Sequence, residues 1–244
     1  MSINDGAGNF TTNLNFPMPY SSRAYSYTLG DFNNDSLVDI AYVSDNFSTS
    51  ELRVLWNDTG NTFGTNSVLA VAGFPVSTRL SAVEKFDFDG DNDLDLLLGF
   101  SENSTSKADG IVLKNQGNKN FATHSEKIEA AIWGVGYNGG AYRGIEMFFS
   151  DFDADGNMDI LSNSYADQDL IVHFQQNDSS FLSPSYLNHS FKTIINFQLL
   201  DYNNDGKMDL ATVDGRTNGK LEMAYGDGSN GFDSSEVIAD NRTA

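Results

Sequence analysis

Apolar residues in this chain come in short runs, and most runs are closed by Gly, Asn or Asp. Runs of this length, apolar or alternating and bounded by turn formers, read as β-strands. They fall into four matching sets. The first is Ala24–Leu29, Val38–Val43, Leu52–Trp56 and Ser67–Val71; the second is Ala82–Phe86, Leu94–Leu98, Ile111–Lys114 and Thr123–Ile128. The third is Ile145–Phe149, Met158–Leu161, Leu170–Phe174 and Ser185–Asn188; the fourth is Ile194–Leu200, Met208–Val213, Leu221–Tyr225 and Ser235–Ile238. No long stretch carries a helical period. Each set amounts to four short antiparallel strands in roughly 50–60 residues, the size of one propeller blade. The expected fold class is therefore all-β, a propeller of four-stranded antiparallel blades.

The polar segments between the strands repeat as well. Between the first two strands of every set lies one gap-free pattern: Asp31-Phe-Asn-Asn-Asp-Ser-Leu-Val-Asp39, Asp87-Phe-Asp-Gly-Asp-Asn-Asp-Leu-Asp95, Asp151-Phe-Asp-Ala-Asp-Gly-Asn-Met-Asp159 and Asp201-Tyr-Asn-Asn-Asp-Gly-Lys-Met-Asp209. Successive copies start 56, 64 and 50 residues apart. A second turn follows the third strand: Asn57 to Phe63, Asn115 to Phe121, Asn177 to Phe181 and Gly226 to Phe232. A further copy of this turn, Asn4 to Phe10, opens the chain with no acidic loop before it. Residues 1–20 are thus a trailing half-blade; blades follow at 21–73, 74–131, 132–190 and 191–244, all in one domain.

The acidic loop has the chemistry of a calcium site. Ca²⁺ is a hard cation that takes six to eight oxygens at ~2.3–2.6 Å. Alternate side chains in a tight turn converge, so the first, third and fifth positions supply Asp31, Asn33, Asp35; Asp87, Asp89, Asp91; Asp151, Asp153, Asp155; and Asp201, Asn203, Asp205. Backbone carbonyls of Leu37, Asp93, Asn157 and Lys207 would come from the seventh position, and Asp39, Asp95, Asp159 and Asp209 from the ninth. Gly156 and Gly206 stand at the sixth position, where the chain bends back. Asn92 suits that bend and Ser36 suits it least, so the first loop is expected to bind most weakly. The second and third loops, with four such carboxylates each, are expected to bind most tightly. Asp, Asn and Gly favour turns on their own account, but a turn needs no carboxylate where the next strand begins. Mg²⁺ fits less well, since it demands strict octahedral geometry and retains water. An EF-hand is excluded: its twelfth position would be Tyr42, Leu98, Ser162 or Thr212, and the flanks are strands.

These residues resemble the FG-GAP/VCBS repeat family, which builds the propeller of integrin α chains and of several bacterial and fungal lectins. The shared motif is Asp-aromatic-Asx-x-Asp-x-x-x-Asp, then a strand, a hairpin and the Asn-Asp/Gly…Phe turn, and it spans nearly the whole chain. The resemblance implies that the loop joins the first two strands of a blade and holds Ca²⁺, about four ions in all. It also implies a secreted or cell-surface protein that binds a glycan or a cell-surface protein. Family propellers often have seven blades, whereas this chain supplies four and a half-blade, so the half-blade makes self-association an expectation.

Composition narrows the partners. The chain has 244 residues and carries 34 acidic against 14 basic residues, a formal charge of −20. Nucleic acid is excluded, because phosphate binding needs clustered Lys and Arg. No apolar run approaches the ~20 residues of a membrane span, so no direct insertion is expected. The absence of cysteine removes disulfides and thiolate metal sites. The 18 Phe and 10 Tyr supply a core that a disordered acidic chain would lack.

No nucleophile elbow, Walker loop or His-Glu-x-x-His is present, and His124, His173 and His189 stand without neighbouring motifs. The expectation is a non-enzymatic module. The alternatives are a polysaccharide-processing, lyase-like propeller and a structural or oligomerisation domain of a larger surface protein. The best ligand candidates lie between the second and third blades. There the path from Phe121 to Asp151 is 30 residues, against 24 and 20 for the equivalent paths from Phe63 and Phe181. The excess carries Trp133, Tyr137, Tyr142 and Arg143, aromatic faces and a cation suited to sugars. Trp56 is the other candidate. Aligning it with Ile3, Lys114, Gln176 and Tyr225 makes its position variable, hence expected to face solvent.

Overall fold

The computed structural model describes residues 2–4, 6–13, 23–45, 50–58, 63–69, 78–102, 108–128, 147–153, 155–163, 170–177, 179–183, 185–186, 194–214, 220–228 and 231–239. Among them are strands and turns but no helix. A hairpin opens the chain, β1 (Ser2–Asn4) with β2 (Phe10–Asn13). The first blade is β3 (Arg23–Gly30), β4 (Asp39–Asp45), β5 (Ser50–Asn57) and β6 (Phe63–Leu69). The second is β7 (Thr78–Phe86), β8 (Asp95–Glu102), β9 (Ala108–Asn115) and β10 (Phe121–Ile128). The third is β11 (Met147–Ser150), β12 (Asp159–Asn163), β13 (Leu170–His173) and β14 (Ser185–Tyr186). The fourth is β15 (Ile194–Leu200), β16 (Asp209–Asp214), β17 (Leu221–Gly226) and β18 (Phe232–Ala239). Each blade is an antiparallel meander in which consecutive strands pair.

The period-two pattern explains how blades stack. In β4 and β5 the side chains of Ala41, Val43, Leu52, Val54 and Trp56 share one face, and all are at most 1% exposed. They form one core with Val83, Leu96, Leu98 and Leu113 of the second blade. The opposite face of the second blade (Ala82, Leu97, Val112) packs on Ile160 and Phe149 of the third. The third blade in turn places Leu161, Leu170 and Val172 against Phe197, Leu210 and Ala224 of the fourth. A strand buried on both faces must be apolar on both, which is why β8 reads Asp-Leu-Leu-Leu-Gly-Phe and not as a strict alternation.

Leading strands also meet through polar atoms. The Ser26 hydroxyl on β3 accepts a hydrogen bond from the Val83 N–H and donates to the Val83 carbonyl, at 3.1 and 3.3 Å. Lys85 Nζ donates to the Leu29 carbonyl across the same joint.

One sequence expectation is overturned. Trp56 does not face solvent: it is fully buried in the joint between the first two blades, with Lys119 Nζ 5.0 Å from its ring centroid. The error lay in the third blade's turn. The bridge Gln175↔Phe181 places Gln175, not Asn177, at the position of Asn57 and Asn115. Trp56 therefore aligns with Phe174, a core residue at 4% exposure, and not with Gln176. The corrected column holds Ile3, Trp56, Lys114, Phe174 and Tyr225, which is mostly apolar. Trp133, Tyr137, Tyr142 and Arg143 lie outside the described residues.

Candidate metal centres

Each acidic loop joins the first two strands of its blade, β3–β4, β7–β8, β11–β12 and β15–β16. The loops are built by their own side chains. The first-position carboxylate accepts two hydrogen bonds from amides further round the turn, at 2.7–3.1 Å: Asp31 from Asp35 and Ser36, Asp87 from Gly90 and Asn92. Asp151 accepts from Asp155 and Gly156, and Asp201 from Asp205 and Gly206. The fifth-position carboxylate takes the amide two residues on, as in an Asx turn. This winding requires left-handed backbone at the sixth position, where φ is 67° at Ser36, 69° at Asn92, 94° at Gly156 and 84° at Gly206. Ser36 pays the steric cost there that Gly avoids. The fourth position is left-handed as well, at Asn34, Gly90 and Asn204, with φ of 59°, 74° and 60°.

The ninth-position aspartates behave differently from the others. Asp39, Asp95, Asp159 and Asp209 are at most 1% exposed. One oxygen of each accepts the N–H of the loop aromatic: Phe32, Phe88, Phe152 and Tyr202. The other accepts the N–H that opens the second turn, at Asn57, Asn115, Gln175 and Gly226. These eight bonds span 2.6–3.1 Å. The carboxylate is thus a latch that ties the acidic loop to the hairpin beyond it, and a carboxylate at the start of a strand has work to do without any metal. Both oxygens of Asp39, Asp95 and Asp159 keep a further lone pair, so those latches leave room for coordination, whereas Asp209 Oδ2 also accepts the Asn203 N–H at 3.3 Å.

Burial drives three of the latch carboxyls, Asp39, Asp95 and Asp159, upward. Asp95 and Asp159 are raised to about 6, chiefly by desolvation, against the pull of their two amide donors; Asp89 and Asp91, or Asp153 and Asp155, add like-charge repulsion. Asp39 is raised for the same reasons, and Asp153 by desolvation and the neighbouring Asp155. A carboxylate held in this way gains most from a nearby cation.

The loops divide into two kinds. In the second, Asp87, Asp89 and Asp91 bring one oxygen each to within 4.8 Å of one another; in the third, Asp151, Asp153 and Asp159 do the same. Oxygens ~2.4 Å from a shared Ca²⁺ lie no further apart than about 4.8 Å, so these donor sets fit the ion in size and in hardness. The first and fourth loops carry Asn at the third position. Its amide donates to the fifth-position carboxylate, Asn33 to Asp35 at 3.0 Å and Asn203 to Asp205 at 3.1 Å. Lys114 Nζ stands 3.4 Å from Asp89 in the second loop, a resident cation that a metal there must tolerate.

The Asn and Gln opening the second turn are contributors that the sequence did not disclose. Asn115 donates to the Phe32 carbonyl at 2.9 Å, and Gln175 to the Phe88 carbonyl at 2.7 Å, each reaching back to the acidic loop of the preceding blade. Gln175 also accepts the Met158 N–H at 3.1 Å. Asn34 adds a loop-to-loop bond to Asp93 at 2.5 Å. The recurrence of an amide six residues before the turn Phe was the available signal. His173 is 1% exposed and its pKa is lowered to about 4 by burial, so it offers no base to a solvent-borne substrate.

Comparison with known proteins adds three findings. A family described as FG-GAP-like repeat matches residues 31–98 and 151–212, more than half of the chain and beginning each time at the first Asp of a loop. No curated protein matches. Among solved structures, one described as an Agrocybe aegerita lectin recognising non-reducing terminal N-acetylglucosamine is 16% identical; the match covers 98% of this chain and 74% of that one, with a TM-score of 0.44.

Proposed function

The chain belongs to the FG-GAP-like repeat family, and from that premise we propose that it is a calcium-dependent, non-enzymatic recognition module working outside the cell. The observation that carries the calcium reading is the convergence of three carboxylates in each of the second and third loops. Asp87, Asp89 and Asp91 hold one ion, and Asp151, Asp153 and Asp159 another. The first and fourth loops complete the set with an Asn oxygen in place of one carboxylate, and bind more weakly. Bound calcium supplies charge neutralisation and fixes the loop. The chain's own residues do the rest: the latch aspartates hold each loop against its hairpin, and Asn115 and Gln175 hold it against the next blade.

Recognition falls to the loops at the blade ends, with a glycan or a cell-surface protein as ligand. A rigid stack of blades positions such loops at low entropic cost. A glycan array probed with calcium-loaded protein tests the reading. Binding to a defined glycan class that chelator abolishes supports it; an empty array moves the reading to a protein ligand, and cleavage of a polysaccharide by the purified chain would overturn it.

A further inference from the structure

The latch aspartates and the turn amides join three of the acidic loops into one row. Asp159 accepts the Phe152 N–H of its own loop and the N–H of Gln175. The Gln175 side-chain amide donates to the Phe88 carbonyl in the second loop. The Phe88 N–H and the Asn115 N–H both donate to Asp95. The Asn115 side-chain amide donates to the Phe32 carbonyl in the first loop, and the Phe32 N–H donates to Asp39. These seven bonds span 2.6–3.1 Å. From Asp159 to Asp39 every residue in the row is at most 5% exposed, so water competes little with them.

The two side-chain amides act on peptides that a metal uses. The Phe32 carbonyl belongs to the planar peptide that carries Asn33, and the Phe88 carbonyl to the one that carries Asp89. Asn33 and Asp89 are third-position donors, and Asp89 is one of the converging carboxylates of the second loop. The orientation of each peptide is thus set by the following blade, through a residue tied to that blade's own latch. The first two loops also touch directly, where Asn34 donates to Asp93. The row stops at the fourth blade. Gly226 donates its N–H to Asp209 as Asn115 and Gln175 do to their latches, but it has no side chain to reach the Phe152 carbonyl. Its place also refuses one, since a Cβ there would meet the Met208 carbonyl oxygen at 2.3 Å.

We propose that Asn115 and Gln175 are positioning residues that couple calcium occupancy across the first three loops, while the fourth fills independently. The proposal rests on the calcium reading of the loops. An ion in the second loop orders Asp95, which holds Asn115, which holds the peptide before Asn33. The first loop then has less freedom left to lose when its own ion arrives. The third loop acts on the second in the same way through Gln175. The linkage is reciprocal, so each loop of a coupled pair raises the affinity of the other.

Hydrogen exchange read by mass spectrometry on the segments 31–39, 87–95, 151–159 and 201–209, between ~1 µM and ~10 mM CaCl₂, tests it by giving each loop its own midpoint. The second loop is disabled by Asp87→Asn with Asp89→Asn and Asp91→Asn. The midpoints of the first and third loops are expected to move to about five-fold higher calcium or more, with that of the fourth unmoved. In an Asn115→Ala background, disabling the second loop is expected to leave the first loop's midpoint where it was. Melting curves in calcium establish that each variant is folded; where Ala at 115 unfolds the chain, Ser replaces it. First and third midpoints that ignore the second loop overturn the coupling while the calcium reading stands. A shift that reaches the fourth loop equally, or that survives loss of the Asn115 amide, is carried by charge across space and overturns it too. Loops that gain no protection at any calcium concentration overturn the calcium reading itself, and the coupling with it.

Discussion

A single carboxylate at the end of each acidic loop holds together two turns that lie 16 to 20 residues apart in sequence. Replacing Asp159 by Ala strands the Phe152 and Gln175 amides in the interior. Each orphaned buried donor costs ~1–3 kcal/mol, so Asp159→Ala is expected to lose roughly 2–5 kcal/mol by denaturant unfolding even in chelator. Asp39→Ala should lose a similar amount there, and fall behind Asp159→Ala when calcium is present, because only the third loop draws its latch into a carboxylate cluster. Equal losses for the two variants with calcium would remove the ranking of the sites. His173 gives a second residue-scale test. Its pKa is lowered to about 4 from 6.5, so its share of stability is complete above pH 6.5 and is lost as pH falls toward 4, when the unfolded chain takes the proton first. Leu occupies the same register in the first two blades, at Leu55 and Leu113. His173→Leu should therefore gain on the wild type as pH drops through that window, by up to ~3 kcal/mol; a gap that does not change with pH would show that the imidazole takes up its proton equally in the folded and unfolded chain, contradicting the lowered pKa. The motif spacing disclosed every ninth-position Asp but not the latch, since an amide partner far along the chain leaves no mark on local pattern.

At the scale of strands and turns, legibility followed the punctuation. The apolar runs placed all sixteen blade strands, with β15 matching Ile194–Leu200 at both ends and every other strand differing at one terminus or both. All four second turns keep six residues from the opening residue to Phe, and where a common turn former opens them, as at Asn57, Asn115 and Gly226, alignment was straightforward. In the third blade Gln opens that turn and Asn177 sits inside it, and composition drew the alignment two residues off. That slip turned a core column into a seemingly variable one and put Trp56 at the surface. Turn chemistry is a strong guide only when the residue type is tied to the backbone need. At Gly226 it is: a Cβ there would meet the Met208 carbonyl oxygen at 2.3 Å. Gly226→Ala is thus expected to destabilise the fourth blade, read as earlier exchange of β17 amides than of β9 amides; unaltered protection would contradict this packing. Gln175→Ala removes the bond to the Phe88 carbonyl of the preceding blade and takes away the acceptor of the Met158 N–H. It should cost about 1–3 kcal/mol, with Gln175→Glu recovering the Met158 bond only.

For the whole molecule, the charge of −20 is intelligible once the loops are assigned. Fourteen of the 34 acids stand at the first, third, fifth and ninth positions of the four loops. Four divalent ions would bring the formal total to −12. The repeat count, the order of blades and the two-faced apolar strands were all readable in sequence. The exposure of single apolar residues was not, because that of Val213 or Tyr27 depends on what lies opposite and not on the strand that carries it. A ligand that binds only the folded state stabilises it by RT ln(1 + [L]/Kd), ~2.7 kcal/mol per site at one hundred times Kd. The central claim is that these loops are calcium sites, and titration calorimetry of chelator-stripped protein with CaCl₂ tests it most directly. Saturable binding of about four ions is expected, with the two tightest weakened to the level of the other two in a variant with Asp89→Asn and Asp153→Asn, and a weaker response to MgCl₂. A stripped, folded protein that takes up no calcium at millimolar concentration would contradict it.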